Sequence, residues 1–124
     1  MKNILLIDSD LGFVFWLGHV LRGAGFEALP AKSVADAIAL LSLLAGQVDL
    51  LIFNPCVNTA ASFAADLKRS DQRIKTIAVL PEEMPAGLSD IDAYKRKTYK
   101  FDTSAQEEWL SFIRRVLSSV NTTQ

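Results

Sequence analysis

The stretch Ile4-Leu5-Leu6-Ile7-Asp8-Ser9-Asp10 is a short apolar run that ends abruptly in polar residues. An unbroken apolar run of this kind is typical of a strand that is buried on both faces of a parallel sheet. Residues 50–53 and 77–80 have the same form and end at Asn54 and Pro81. The three runs therefore predict the central strands of a parallel sheet.

Helical patterns separate these strands. Apolar residues spaced i, i+3, i+4 and i+7 predict an amphipathic helix over 13–24. Ser33-x-x-Asp36 resembles an N-terminal cap, and the helix after it is expected to bury a stripe that includes Ile38. A third helix is predicted over 60–69, and the clearest helical pattern begins at Ser104 as its cap. Strands and helices thus alternate along the chain.

Segments of lower apolar content complete this alternation. Residues 27–29 and 99–101 suit strands at the edges of the sheet. Pro85 and Gly87 leave room only for a short or irregular helix within 89–97. Because short connections require right-handed crossovers, the pattern predicts an α/β three-layer (αβα) sandwich. Its core is expected to be a flavodoxin-like five-stranded parallel sheet with the strand order 2-1-3-4-5.

The composition indicates one globular domain. Half of the 124 residues are apolar and 22% are charged, and we expect a domain over 1–120 with a polar C-terminal tail at 121–124. A formal net charge of -1 provides no field that would attract nucleic acid or an anionic membrane, so neither is an expected partner. Cys56 is the only cysteine, which fits a reducing compartment. With no export signal or membrane segment recognised, a cytoplasmic location is expected.

The candidate site lies where the strands end. In a sheet of the predicted order, ligands bind beyond the carboxyl ends of the strands, at the switch point between the first strand and the third. Asp8 and Ser9 follow the first strand, and Asn54 follows the third. Pro81 and Asp102 follow the fourth and the fifth. We therefore expect these five residues to lie around one pocket.

Over essentially its whole length, the sequence resembles the CheY-like receiver domains of bacterial response regulators. The resemblance rests on residues 5–10, an apolar strand that runs into acidic residues, and on residues 49–54, which are similar to the strand that bears the phosphoacceptor. It implies a domain of two-component signal transduction. In the phosphorelay reaction of that family, an aspartate takes a phosphoryl group, acids help to hold Mg²⁺, and a hydroxyl and a lysine contact the phosphoryl oxygens.

Most of these groups are missing at the matching positions. Asp8 matches the first of the paired acids, whereas the neutral Ser9 stands at the second. Asn54 falls on the nucleophile, and a carboxamide is too weakly nucleophilic to form an acyl phosphate. Pro81 falls on the hydroxyl residue and supplies neither a side-chain oxygen nor a backbone N–H. The sequence therefore predicts a degenerate phosphorylation pocket with no catalytic residue.

The lysine position has more than one reading. An alignment of the fifth strand without gaps puts Asp102 there, a shift of two residues recovers Lys100, and a shift of five recovers Lys97. Asp8 is the one weak candidate for a metal ligand, and Mg²⁺ prefers several oxygen ligands, so no cofactor is expected. Asp8 also fits a simpler role as a cap of the following helix.

Taken with the resemblance, these losses predict an atypical pseudo-receiver. It would signal through protein–protein contacts without aspartyl phosphorylation and would not be an enzyme. One alternative is a sensor that binds a small ligand or a metal in the same crevice. A second is a conventional phosphoacceptor receiver of a phosphorelay, against which Asn54 argues.

Exposed apolar side chains are the candidates for a partner surface. Phe15 lies off the apolar stripe of the first helix, and Leu40 and Leu43 exceed what the second helix needs for its core stripe. A different rotation of the second helix would instead bury its leucines. The expected partner is a protein of a signalling pathway. The resemblance also implies a possible homodimer through the last helix and the neighbouring edge strand.

Overall fold

A computed structural model describes residues 2–43, 47–80 and 91–119. Within these ranges the strands are β1 (Asn3–Ile7), β2 (Glu27–Ala31), β3 (Leu50–Phe53), β4 (Lys75–Leu80) and β5 (Ala93–Arg96), and the helices are α1 (Leu11–Gly23), α2 (Val34–Leu43), α3 (Ala60–Ser70) and α4 (Thr103–Ser118). In this part of the chain, no helix has the length and apolar character needed to span a membrane.

All five strands form one parallel sheet in the order β2-β1-β3-β4-β5, which confirms the predicted fold class. In the register of this sheet, Ile7 lies beside Ala31 on one side and Phe53 on the other. Strands β1 and β3 therefore end level with each other. The residues that follow them, Asp8 and Asn54, are placed side by side at the carboxyl edge.

The strand residues alternate between two cores, one on each face of the sheet. On the first face, Ile4 and Leu6 pack with α1 and α4. On the second, Leu5 and Ile7 pack with α2 and α3. Since β1 and β3 are covered on both faces, Ile4–Ile7 and Leu50–Phe53 are almost fully buried, which explains why both segments are unbroken apolar runs.

The fifth strand is not where the sequence pattern put it. The predicted strand at 99–101 is wrong because β5 is Ala93–Arg96, and the same finding removes the helix predicted within 89–97 from the described part of that range. Strand β5 was missed because it is polar. Its inward-facing residue is Lys95, whose Nζ lies 5.1 Å from the centroid of the Trp109 ring. The aliphatic part of this side chain packs against the core. A lysine therefore occupies a position at which a strand pattern is recognised by an apolar residue.

Two helices differ in detail from their predictions. Helix α4 begins at Thr103, with the Asp102 carboxylate accepting a hydrogen bond from the backbone N–H of Ala105, so Ser104 is not its cap. Helix α2 buries Ala37 and leaves Ile38 56% exposed, which contradicts the predicted stripe. Leu40 packs against the second core and is a weaker surface candidate than predicted.

Two sequence predictions lie outside the described residues. These are the position of Pro81 after the fourth strand and the polar tail at 121–124.

Candidate functional site

The centre of the strand-end pocket is formed by Asp8 and Asn54, which are 2% and 7% exposed. The backbone N–H of Asn54 donates to the carbonyl of Ile7 at 2.8 Å, which extends the pairing of β1 with β3 and holds the two side chains together. The Asn54 amide nitrogen donates to Asp8 Oδ1 at 3.4 Å, and its oxygen accepts from the backbone N–H of Cys56 at 2.9 Å. Both ends of the carboxamide are thus engaged within the protein.

Lys97 supplies the positive charge of the pocket. It directly follows β5, and its backbone N–H donates to the carbonyl of Leu80 at 3.0 Å. Its Nζ lies 2.9 Å from Asp8 Oδ2, 3.2 Å from Asp10 Oδ2 and 5.3 Å from the centroid of the Phe13 ring. Burial by itself would lower the pKa of Lys97, but the two carboxylates outweigh that effect and raise the pKa above its ordinary 10.5. Lys97 is therefore a cation at neutral pH.

Asp10, which the sequence places in the loop of the candidate site without a specific role, also belongs to the pocket. Its backbone N–H donates to Asp8 Oδ1 at 3.0 Å, and its Oδ1 caps α1 by accepting from the backbone N–H of Phe13 at 3.2 Å. The hydrogen bond from Phe13 is the main cause of a lowered pKa of Asp10; partial burial opposes this shift and Lys97 adds to it. The capping role that sequence reasoning left open for Asp8 is filled by Asp10.

The other predicted site residues lie apart from this group. The structure puts Lys97 beside Asp8, so the gap-free alignment that placed Asp102 at the lysine position is corrected by five residues. Asp102 instead caps α4. Lys100 and Ser9 are exposed, and none of the ion pairs found among the described residues joins Lys100 to a carboxylate of the pocket. Lys97 could have been found from sequence by treating a polar, alternating segment as an edge strand.

The carboxylate oxygens of the pocket are already engaged by groups of the protein. Asp8 Oδ1 accepts two hydrogen bonds, and Asp8 Oδ2 and Asp10 Oδ2 both face the Lys97 ammonium. Within the described ranges, no three side chains of His, Cys, Asp or Glu come together as a metal site would require. A divalent cation would have to displace Lys97 from Asp8 and Asp10, the two carboxylates to which it would then bind.

An aromatic pair lies beside the start of α1. Phe101, in the loop before α4, stacks on Trp16 of α1 with ring centroids 4.9 Å apart and an angle of 17° between the ring planes. A Cβ added at Gly12 would lie 3.9 Å from the Phe101 ring and 3.5 Å from Asp10 Oδ1. Phe101 therefore covers the first turn of α1 next to Asp10. The pocket is thus an ion-pair network of Asp8, Asp10 and Lys97, with the Asn54 carboxamide bonded to Asp8.

Comparisons with known proteins recognise the fold. No family model matches the sequence, and no curated protein does. Among solved structures, a CheY-like response regulator receiver domain from Methanospirillum hungatei has a TM-score of 0.74 and 19% identity, over 94% of each chain. An orphan response regulator of H. pylori also has a TM-score of 0.74 and 19% identity, over 94% of this chain and 96% of that one. A response regulator from Thermotoga maritima, in complex with Mg²⁺ and BeF, has a TM-score of 0.70 and 23% identity, over 94% and 99%.

These matches establish the fold and the extent of the domain that shares it. Nearly the whole length of each solved receiver structure is covered, so this chain has the CheY-like receiver fold throughout the matched 94% of its residues. The order of the strands and the position of the pocket at their carboxyl ends agree with that fold.

Proposed function

We propose that this chain is a receiver-like signalling domain that acts through protein–protein contacts without aspartyl phosphorylation. The receiver fold gives the class of domain, and one observation carries the rest of the proposal. The side chain at the end of β3, buried against Asp8 in the strand-end pocket, is the carboxamide of Asn54.

Phosphoryl transfer to a receiver needs an oxygen nucleophile at this position. The amide nitrogen of Asn54 is delocalised into its carbonyl and lacks the reactivity of a carboxylate. Its carbonyl oxygen already accepts from the N–H of Cys56, and its nitrogen donates to Asp8. These bonds hold the amide in a structural role and leave position 54 without a group that attacks phosphorus.

Charge balance supports the same conclusion. Two carboxylates that face one another normally require a bound cation or a shared proton. Here the Lys97 ammonium stands within salt-bridge distance of both Asp8 and Asp10. We infer that Lys97 neutralises both carboxylates, so that the pocket is stable without a metal ion.

The surface carries apolar side chains that are available for contacts with a protein partner. Phe15 on α1 is 55% exposed and Leu43 at the end of α2 is 77% exposed. Large apolar side chains in contact with water favour protein partners. We therefore assign signalling to contacts of the surface, with no enzymatic activity and with a cytoplasmic location as predicted from the sequence.

Acetyl phosphate tests this proposal directly. The chain is incubated with acetyl phosphate and Mg²⁺, and its intact mass is measured beside a conventional receiver domain treated in parallel. We expect the conventional domain to gain the mass of one phosphoryl group and this chain to gain none. A gain that hydroxylamine removes would reveal an acyl phosphate on this chain and would overturn the proposal.

The Asn54→Asp variant is the matched comparison, because it differs only in the group at the end of β3. Phosphorylation of this variant alone would place the block at position 54. If neither form is phosphorylated, Ser9 and the Lys97 ion pairs contribute to the block as well. Mg²⁺ with beryllofluoride, the combination present in the T. maritima structure, should leave the amide NMR spectrum of the wild type unchanged.

The small-ligand alternative receives no support from the pocket. Asp8 and Asn54 are nearly inaccessible, and their polar atoms are bonded to one another or to neighbouring groups. A ligand at this place would have to break several of these bonds before making its own.

A further inference from the structure

A groove lies along the free side of β2, next to the strand-end pocket, since the carbonyl of Ala31 in its lining accepts from the backbone N–H of Asp8 at 3.1 Å. It runs between α1 and the start of α2, and its volume is about 250 Å³. Its lining includes Leu11, Phe15, Pro30, Ala31, Lys32 and Asp36. Strand β2 is the edge of the sheet opposite β5, so this groove is remote from the face formed by α4 and β5.

The groove carries two exposed apolar side chains on one helix face. Leu11 is 46% exposed and Phe15 is 55% exposed, and a spacing of four residues puts them one above the other on α1. Leaving two large apolar side chains in water is unfavourable compared with covering them. The groove therefore has the character of an uncovered contact surface.

An extended peptide is not the partner that fits this edge. Pro30 lies within β2 and has no N–H to donate to another strand. Arg22 Nη1 donates to the carbonyl of Ala28 at 3.1 Å, which occupies an acceptor of the same strand. Because this edge lacks one backbone donor and has one backbone acceptor occupied, we expect a partner protein to contact it through side chains.

The charges on the groove are opposite and complementary. Lys32 and Asp36 both line it, and the described residues contain no salt bridge to either of them. A surface with one cation and one anion beside an apolar centre is complementary to itself after a two-fold rotation. In that arrangement each Lys32 meets Asp36 of the second copy, and the two Phe15 rings meet near the axis.

We propose that this groove is the interface of a two-fold homodimer of the chain. The dimer surface differs from the face of α4 and β5 that the family resemblance implies. It is also independent of whether Asn54 blocks phosphorylation, since no residue of the pocket takes part. The domain would then have two states, a monomer and a symmetric dimer. A partner that binds one of them better would shift the equilibrium toward it.

Sedimentation velocity over a series of concentrations gives the first test. We expect the wild type to pass from monomer to dimer as its concentration rises into the high micromolar range. A chain that stays monomeric throughout that range would overturn the proposal.

Charge reversal then tests the two-fold geometry. Lys32→Glu and Asp36→Lys should each weaken the dimer by at least about tenfold, because each places like charges opposite one another twice. Mixing the two variants should restore association as a heterodimer, in which position 32 and position 36 again carry opposite charges across the interface. Loss of association in both variants without recovery in the mixture would contradict this pairing.

Apolar substitutions locate the surface. Phe15→Ser should abolish dimerisation while the thermal melt stays close to that of the wild type, because the side chain is largely exposed. Tyr94→Ser on β5 is the matched control, since Tyr94 is also an exposed aromatic residue but lies on the opposite edge of the sheet. Loss of the dimer with Tyr94→Ser and its retention with Phe15→Ser would assign the interface to β5 and overturn the proposal.

Discussion

Strands β3 and β5 each deliver one residue to the pocket, yet they are built in opposite ways. The four residues of β3 are Leu-Leu-Ile-Phe, and all are buried between two layers of helices. The four of β5 are Ala-Tyr-Lys-Arg, which alternate between half-buried and exposed at the edge of the sheet. The apolar strand is followed by the neutral Asn54, whereas the polar strand is followed by the cation Lys97.

The two strands therefore have different roles: one fixes the position of the pocket, and the other determines its charge. Strand β3 fixes the position of Asn54 through the core on both faces. Strand β5 contributes little apolar burial, but its end brings an ammonium group to within 2.9 Å of Asp8. We infer that the site depends on β3 for its location and on β5 for its electrostatic balance.

The largest expected effect comes from the core residue next to Asn54. Phe53→Ala should lower the free energy of unfolding by about 3–5 kcal/mol, because Phe53 is fully buried and its removal leaves a cavity. Tyr94→Ala in β5 should change it by less than about 0.5 kcal/mol, as is usual at exposed positions. Urea unfolding of both variants measures the difference. Similar losses in the two strands would contradict the contrast drawn between them.

The contrast also explains how far the sequence could predict the structure. Unbroken apolar runs reveal strands that are buried on both faces, and from them the positions of Asp8 and Asn54 at the carboxyl edge follow directly. An edge strand does not need such a run, so β5 carries no comparable signal. The predicted strand at 99–101 displaced the lysine alignment to Asp102, and Lys97 was left as one alternative.

The contact of Asp10 with Lys97 was missed for a different reason. Its place in the pocket depends on the backbone after β1, which turns so that the N–H of Asp10 meets Asp8 Oδ1 and directs the carboxylate toward Lys97. The spacing of residues along the chain does not encode this turn. Matching by position put Ser9 at the second acid, although the acidic side chain one residue later is the one that meets the lysine.

Removal of the Lys97 charge should have the next largest effect and tests the electrostatic role of β5. Lys97→Met keeps an apolar stem over Phe13 but leaves Asp8 buried without its cation, which should cost about 3 kcal/mol of unfolding free energy. Lys100→Met, at an exposed lysine of the following loop, should be nearly neutral. The Asp8→Asn/Lys97→Met double variant should lose less than Lys97→Met alone, because it removes the stranded carboxylate as well. Additive losses would show that the two side chains do not act as a pair.

The smallest expected effect concerns the charge of Asp10, which meets Lys97 from the start of α1. Asn caps a helix about as well as Asp, so Asp10→Asn removes the charge and keeps the cap; we expect a loss of roughly 0.5 kcal/mol at neutral pH. Because folding lowers the pKa of Asp10, its carboxylate stabilises the protein above the ordinary pKa of 3.8, and this contribution disappears as the pH falls through the folded value. The difference in unfolding free energy between the variant and the wild type, measured by urea unfolding, should therefore disappear in acid.

Asp102→Asn at the cap of α4 is the control, since Asp102 has no salt bridge within the described residues. This variant should show no such difference at neutral pH. A gap at Asp10 that persisted unchanged in acid would mean that the end of β5 does not act on α1 through charge.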